Sequence, residues 1–250
     1  MNQKEAWERA KTILNFGAGV NSTALAIEMN NRGMKPDYVI FADTGCENPE
    51  TYAYLERMTA WFKKNDWNYF QVKSKYGNLY DYYFNKKMVP SRCFRDCTDK
   101  FKKMPINTFL KTLGVKEVIQ YIGIDASEKQ RAVFKGRKGF TFKYPLIEWG
   151  IDRKGCERII KAEGIPIPMK SGCFCCPFQR NESWLRLLKE HPELYNKAEL
   201  MEKNGKRYPL IGVTWNTTLE ELRIAKKEQT TLFKKEGLCG LPKCDGWCMV

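Results

Sequence analysis

The sequence predicts an α/β fold: three layers, with a mainly parallel sheet carrying helices on both faces, followed by a helical, cysteine-rich C-terminal extension. Three observations predict it. Residues 12–16 form a short apolar strand that runs into the glycine-bracketed turn Gly17-Ala18-Gly19 and then into the helix-forming run Ala24-Leu25-Ala26-Ile27-Glu28-Met29. Residues 38–42 form a second buried strand, and Asp43-Thr44-Gly45 follows directly at its carboxyl end. Further strands at 69–72 and 117–124 are separated by helical stretches at 51–65 and 106–113, a spacing that implies right-handed crossovers and parallel pairing.

The first turn has the chemistry of an anion cradle. Gly17 and Gly19 are expected to take positive φ and to let an anion approach the main chain without a Cβ in the way. Ser22 and Thr23 follow at the start of the helix, where unpaired N–H groups and the helix dipole favour negative charge. The pattern is not a Walker loop, because no Gly-Lys-Ser/Thr follows, and it lacks the third glycine of the dinucleotide fingerprint. At the second turn, Pro49 stands where a helix would begin. Ligands of open parallel sheets sit beyond the carboxyl ends of the strands, so both turns open onto one crevice.

With these motifs in place, the chain resembles the PP-loop type of adenine nucleotide alpha-hydrolase-like enzymes, and within them the phosphoadenosine phosphosulfate (PAPS) reductase family. The resemblance runs through Gly17-Ala18-Gly19-Val20-Asn21-Ser22-Thr23, which is similar to that family's Ser-Gly-Gly-x-Asp-Ser loop, and through Phe41-Ala42-Asp43-Thr44-Gly45. It continues in Cys97-Thr98-Asp99-Lys100-Phe101-Lys102, in Gly123-Ile124-Asp125-Ala126-Ser127-Glu128-Lys129-Gln130-Arg131 and in Tyr144-Pro145-Leu146-Ile147-Glu148-Trp149. Five motifs in the family's order cover most of residues 12–178.

The resemblance implies a Rossmann-like fold that binds an adenine nucleotide (PAPS, its 3′-unphosphorylated analogue APS, or ATP, with Mg²⁺ admissible). The residues it assigns to the nucleotide are Gly17, Ala18, Gly19, Asn21, Ser22, Thr23, Asp43, Thr44, Gly45, Lys102, Gly123, Asp125, Glu128 and Arg131. Gly17 and Ala18 replace the loop's usual serine and first glycine. Asn21 stands where many relatives carry aspartate, so a carboxylate that would help organise Mg²⁺ is absent there.

Ten cysteines in 250 residues would suit a small secreted disulfide scaffold, yet the chain begins Met-Asn-Gln-Lys-Glu with no apolar signal region. A reducing cytoplasmic setting is therefore expected, in which thiols bind metal or do chemistry. Cys93-x3-Cys97 upstream and Cys173-Phe174-Cys175-Cys176 downstream supply four thiolates as two local pairs, which suit either zinc or an iron-sulfur cluster. The resemblance tips the choice, since relatives that reduce APS or activate sulfur for DNA carry a 4Fe-4S cluster on an upstream cysteine pair and a downstream Cys-x2-Cys, although the upstream cysteines of those reductases are adjacent where this chain has Cys-x3-Cys. It implies Cys93, Cys97, Cys173 and Cys176 as ligands, with zinc the alternative and Cys175 spare.

Near the C-terminus, Cys239-Gly240-Leu241 is similar to the family's catalytic Cys-Gly-Leu, although Pro242 replaces the histidine usually found next. The resemblance implies Cys239 as the nucleophile that attacks sulfonucleotide sulfur, with a thiol reductant such as thioredoxin releasing sulfite. The alternative is that Cys239, Cys244 and Cys248 form a metal-bound knuckle or redox tail. Cys46 and Cys156 are expected to be packing residues, and His191, the only histidine, to be a surface or capping residue.

A net charge of +14 draws polyanions, with one basic group from Lys86 to Lys103 and another from Lys129 through Lys135, Arg137 and Lys138 to Lys143. Interleaved Tyr76, Tyr80, Tyr82, Tyr83 and Phe84, then Phe134, Phe140 and Phe142, admit stacking on nucleic-acid bases as well as core packing. No apolar run approaches the roughly 20 residues a bilayer requires. Helices are expected at 182–190, 192–203 and 218–235, with a break at 209–212, which divides the chain into a nucleotide-binding domain, 1–178, and an extension, 179–250. The oligomeric state is left open. Three functions fit: thiol-dependent sulfonucleotide reduction, ATP-dependent adenylation or thiolation of a nucleic acid, and nucleotide binding with a structural zinc.

Overall fold

The computed structural model describes residues 10–132, 139–205 and 217–227. Cys239, Cys244, Cys248, Phe134, Lys135, Arg137, Lys138, the 209–212 break and the last part of the 218–235 helix lie outside the described residues.

The chain begins with β1 (Lys11–Asn15), α1 (Val20–Asn31), β2 (Tyr38–Asp43), α2 (Pro49–Lys64), β3 (Tyr69–Lys73) and α3 (Leu79–Asn85). A helical turn at Asp96–Thr98 then widens into a π-helical turn, Asp99–Lys103, that leads into α4 (Met104–Thr112). β4 (Val118–Ile122), a 3₁₀ turn at Ala126–Arg131, β5 (Phe140–Lys143) and a short turn at Pro145–Glu148 precede α5 (Arg153–Ala162). The extension contributes α6 (Asn181–Glu190), α7 (Pro192–Asn204) and α8 (Leu219–Lys227).

The five strands pair in the order β3-β2-β1-β4-β5, every pair parallel. Side-chain alternation along each strand builds the two outer layers. Leu14, Val39 and Phe41 point to one face and pack with Leu25 and Met29 of α1, Met58 and Phe62 of α2, and Cys156 and Ile160 of α5. Ile13, Ile40, Ala42, Val72 and Val118 point to the other and pack under Ile106 and Leu110 of α4. Because β1 is central and covered on both faces, α1, which leaves it directly, is buried along most of its length.

β5 is an addition to the expected strands. All four of its residues are half-buried at the sheet edge, so Phe-Thr-Phe-Lys carries little periodic signal. Asp37 ties the strand starts together, accepting from Thr12 N (2.8 Å), Thr12 Oγ1 (2.7 Å) and Lys11 Nζ (2.7 Å).

The extension packs on the α/β body through one apolar cluster. Trp184, Tyr195 and Met201 are fully buried with Tyr83 and Phe101, and Cys46, Cys173 and Cys175 belong to the same cluster. Among the described residues, no helix is long and apolar enough to cross a membrane.

Candidate functional site

Where β1 and β4 diverge at the switch point of the sheet, a cleft of about 660 Å³ opens at the strands' carboxyl ends. That is where parallel sheets hold their ligands. Phe16, Ile40, Phe41, Ile106 and Ile122 form its apolar walls, while Gly17, Ser22, Gly123, Lys102, Glu47, Asn15 and Ser171 supply its polar groups.

The first turn departs from its expected backbone. Neither Gly17 nor Gly19 has positive φ; Ala18 does, at +53°, and Gly19 is extended at −102°. The left-handed residue is thus at the centre of the turn, at the position where the family resemblance places the loop's first glycine. Gly19 is required for room instead, since a Cβ there would lie 3.0 Å from Ser171 Oγ. Gly17 N and Gly19 N both donate to Ser22 Oγ, at 3.3 and 3.2 Å, and Ser22 in turn donates to Gly19 O at 3.1 Å. Two amides and the start of α1 therefore converge on one point, with Lys102 on the same cleft. The π-helical turn buries Phe101 and sets the neighbouring Lys102 on the cleft wall.

Gly123 closes the other side. A Cβ there would stand 2.8 Å from Ser22 N and 2.9 Å from the Asn21 carbonyl carbon, so only glycine lets the end of β4 approach the start of α1. Behind it, Asn21, 2 % exposed, donates to Asp125 Oδ2 (2.9 Å) and Glu128 Oε2 (3.4 Å), and accepts from Arg153 Nη1 (3.3 Å). Arg131 pairs with Glu128 rather than lining the cleft. An amide at position 21 bridges two carboxylates that an aspartate would repel. Thr23 is fully buried and its Oγ1 has no hydrogen-bond partner.

The second turn is knitted inward. Asp43 accepts from Gly45 N (2.8 Å), Tyr52 OH (2.8 Å) and Gln71 Nε2 (2.9 Å). Burial, reinforced by this bond to Asp43, pushes the Tyr52 phenol far above its ordinary pKa. Thr44 Oγ1 donates to Glu47 Oε1 (3.0 Å) and lies 3.2 Å from Cys173 Sγ. Gly45, at φ +67°, faces a second groove with Tyr52, Tyr80 and Phe174.

Cysteines that are distant in sequence meet beside this turn. Glu47 and Cys173 form a β-bridge, Phe174 N donates to Cys46 O (2.9 Å), and Cys46 Sγ lies 3.3 Å from Cys175 Sγ. Burial pushes the Cys46 and Cys173 thiols well above the usual range; Cys175 adds to this at Cys46 and Glu47 at Cys173, where Lys102 opposes it. The loop carrying Cys93 and Cys97 docks on the same region, with the Arg92 and Arg95 guanidinium carbons 5.0 and 4.8 Å from the centre of the Phe178 ring. Cys97 and Cys176 pack on the cluster that holds Cys173, and Cys93 is exposed.

Zinc would draw its sulfur ligands to roughly 3.8 Å from one another, given Zn–S bonds near 2.3 Å. Among the described residues, Glu50, Glu190 and His191 form the one group of three or more potential ligands with all atoms within 4.8 Å. Burial pushes Cys156 up to about 12, and it packs in the core. His191 joins α6 to α7: its carbonyl accepts from Leu194 N and Tyr195 N, and its Nε2 lies 2.7 Å from Glu50 Oε1.

Of the nucleotide-site residues read from sequence, Gly17, Ser22, Lys102 and Gly123 meet on the cleft, and Asn21, Asp125, Glu128 and Arg131 form a polar chain behind it. Asn15, Glu47, Ser171 and Arg153 join these two groups without having been singled out, because each lies outside the motifs. Ser171, between Lys170 and Gly172 just before the cysteine run, carried the one local signal.

The chain belongs to the phosphoadenosine phosphosulfate reductase domain family, whose model matches residues 11–167. Two uncharacterized proteins of Methanocaldococcus jannaschii are similar to it, one 26 % identical over 215 residues (76 % of this chain, 47 % of the relative), the other 22 % identical over 235 residues (85 % and 46 %). The chain thus spans about half the length of the curated relatives it matches. Among solved structures, the PAPS reductase of Candida auris in its phosphate complex is similar with a TM-score of 0.47 at 20 % identity, covering 67 % of this chain and 82 % of that one. The U34-tRNA thiolase NcsA of Methanococcus maripaludis with its 4Fe-4S cluster has a TM-score of 0.48 at 14 % identity, covering 78 % and 71 %.

Proposed function

We propose that the protein binds an adenine nucleotide in the cleft, with the anionic end on the Gly17 and Gly19 amides, and uses it for thiol-dependent reduction of a sulfonucleotide to sulfite. The observation that carries nucleotide binding is the convergence of two amides, Ser22 Oγ, the α1 N-terminus and Lys102 on one end of an apolar-walled cleft. The reaction assigned to Cys239 is a two-electron transfer. Its thiolate attacks the sulfonucleotide sulfur, the S–O bond to the adenylate breaks, and an S-sulfocysteine forms. A thiol attacks the Cys239 sulfur and releases sulfite, and a second thiol resolves the mixed disulfide, so a dithiol such as reduced thioredoxin supplies both electrons.

Cys93, Cys97, Cys173 and Cys176 are assigned as ligands of a 4Fe-4S cluster. The docking of their two segments through Arg92, Arg95 and Phe178 supports this, with zinc the alternative occupant of the same thiols. When bound, such a cluster would supply redox capacity near Lys102, and its thiolate-ligated, net negative charge would be balanced by the cations of this region.

A second reading, ATP-dependent adenylation or thiolation of a nucleic acid, is favoured by Phe94. It is 79 % exposed in a loop flanked by Arg92 and Arg95, where a base can stack. Full-length protein incubated with PAPS or APS and a dithiol should release sulfite, and Cys239→Ser should abolish the release. Absence of sulfite, together with pyrophosphate release from ATP that requires an oligonucleotide, would transfer the assignment to the second reading.

A further inference from the structure

The first turn of α2 and the corner between α6 and α7 gather a set of oxygen and nitrogen donors that are not among the residues lining the cleft. Glu50, Glu190 and His191 each place one ligand atom within 4.8 Å of the other two. The His191 ring faces a carboxylate on each nitrogen: Nε2 lies 2.7 Å from Glu50 Oε1, and Nδ1 lies 3.7 Å from Glu193 Oε1. A histidine that binds metal through one nitrogen normally gives its other N–H to a carboxylate, and Glu193, at 3.7 Å, is near enough to reach that nitrogen by a small side-chain movement.

The fourth donor is independent of the acidic group. Asn48 is the N-cap residue of α2, where an asparagine normally accepts from the helix's free amides. Its side chain makes no such bond: the residue is 8 % exposed, and its Oδ1 is buried without a partner. Asn48 lines a small cavity, about 10 Å³, together with Glu50, Glu190, His191, Arg186 and Gln179, which leaves room for little more than a single ion or water. A buried amide oxygen left unpaired costs stability, and a cation in that cavity would satisfy it.

We propose that Glu50, Glu190, His191 and the Asn48 amide oxygen bind one divalent cation of hard to borderline character, such as Mn²⁺ or Zn²⁺, which clasps the helical extension to the first turn of α2. One imidazole with three oxygens suits these ions, whereas the thiols elsewhere in the chain select softer ones. Arg186 Nε, 3.7 Å from Glu190 Oε2, is the competing cation. That pair is solvent-exposed and so weak enough to yield the carboxylate.

The test is an electron paramagnetic resonance titration of the full chain with Mn²⁺ alone, without nucleotide, so its outcome is separate from that of the cleft. One Mn²⁺ should bind per chain, His191→Ala should abolish it, and Glu190→Gln, a near-isosteric change on a partly exposed side chain, should weaken it at least tenfold with the circular dichroism unchanged. Saturating Mn²⁺ should raise the thermal midpoint of the wild type but not of His191→Ala. The proposal is overturned if the wild type binds no Mn²⁺, or if both variants bind it as the wild type does.

Discussion

Ala18 and Gly123 show how single residues set the anion cradle. A non-glycine residue at φ +53° carries strain, so Ala18→Gly should stabilise the protein by about 1 kcal/mol, read as a higher urea midpoint. Gly123→Ala should do the reverse, costing roughly 1–3 kcal/mol as the new methyl forces β4 away from the start of α1. Nucleotide affinity measured by calorimetry should fall with it, because the displaced atoms include Ser22 N. The sequence placed a strand-to-helix turn here and offered its glycines as residues able to take positive φ, but the letters alone do not say which residue turns the chain, and in the structure it is Ala18. The Cys46–Cys175 contact was illegible for a different reason: its partners are 129 positions apart, and only the fold brings them together.

At the scale of elements, Asp37 couples the start of β1 to that of β2. Burial pushes its carboxyl up, but the Lys11 ammonium and the Thr12 donors outweigh this and hold it below the ordinary carboxylate range. A carboxylate held low in the folded state contributes stability that is complete above its unfolded pKa, about 3.9, and is lost as pH falls through the lower folded value. Asp37→Asn should therefore be less stable at neutral pH and show a shallower loss of stability on acidification, measured by urea unfolding across that range. The Phe178 ring under Arg92 and Arg95 has an equally local consequence: Phe178→Ala should lower the iron bound per chain in anaerobically purified protein by releasing the Cys93–Cys97 loop. The strands at 12–16, 38–42, 69–72 and 117–124 were legible because each is an apolar run bounded by turn residues. β5 lacks that contrast, and the π-helical turn has no sequence signature to read.

For the whole molecule, the +14 charge makes polyanion binding a matter of ionic strength as much as of contacts. If oligonucleotides bind near Phe94, log K should fall against log salt with a slope of roughly −0.7 for each phosphate contacted on a single strand. A salt-independent affinity would remove the nucleic-acid reading. The aromatic residues that interleave with the cations in sequence divide once folded: Tyr83 is wholly buried, Tyr82 lies under Lys86 and Lys100, and Tyr76 is exposed, while Phe94, which is not among those read from the sequence, is the more exposed ring. Periodicity could not make that division, because burial of these rings depends on helices more than 80 positions further along.

The sheet order places β1 in the middle, and the cradle springs from it without an intervening linker. Loops at enzyme sites commonly open and close on their own, but the stem of this one is a strand buried on both faces, and such segments open least readily. The amide hydrogens of Gly17 and Gly19 should consequently trade with deuterated solvent about as slowly as those of the central strand, with or without ligand. Recognition of the anionic group would then proceed on a surface already set before arrival, and whatever gating accompanies turnover would have to come from other parts of the chain.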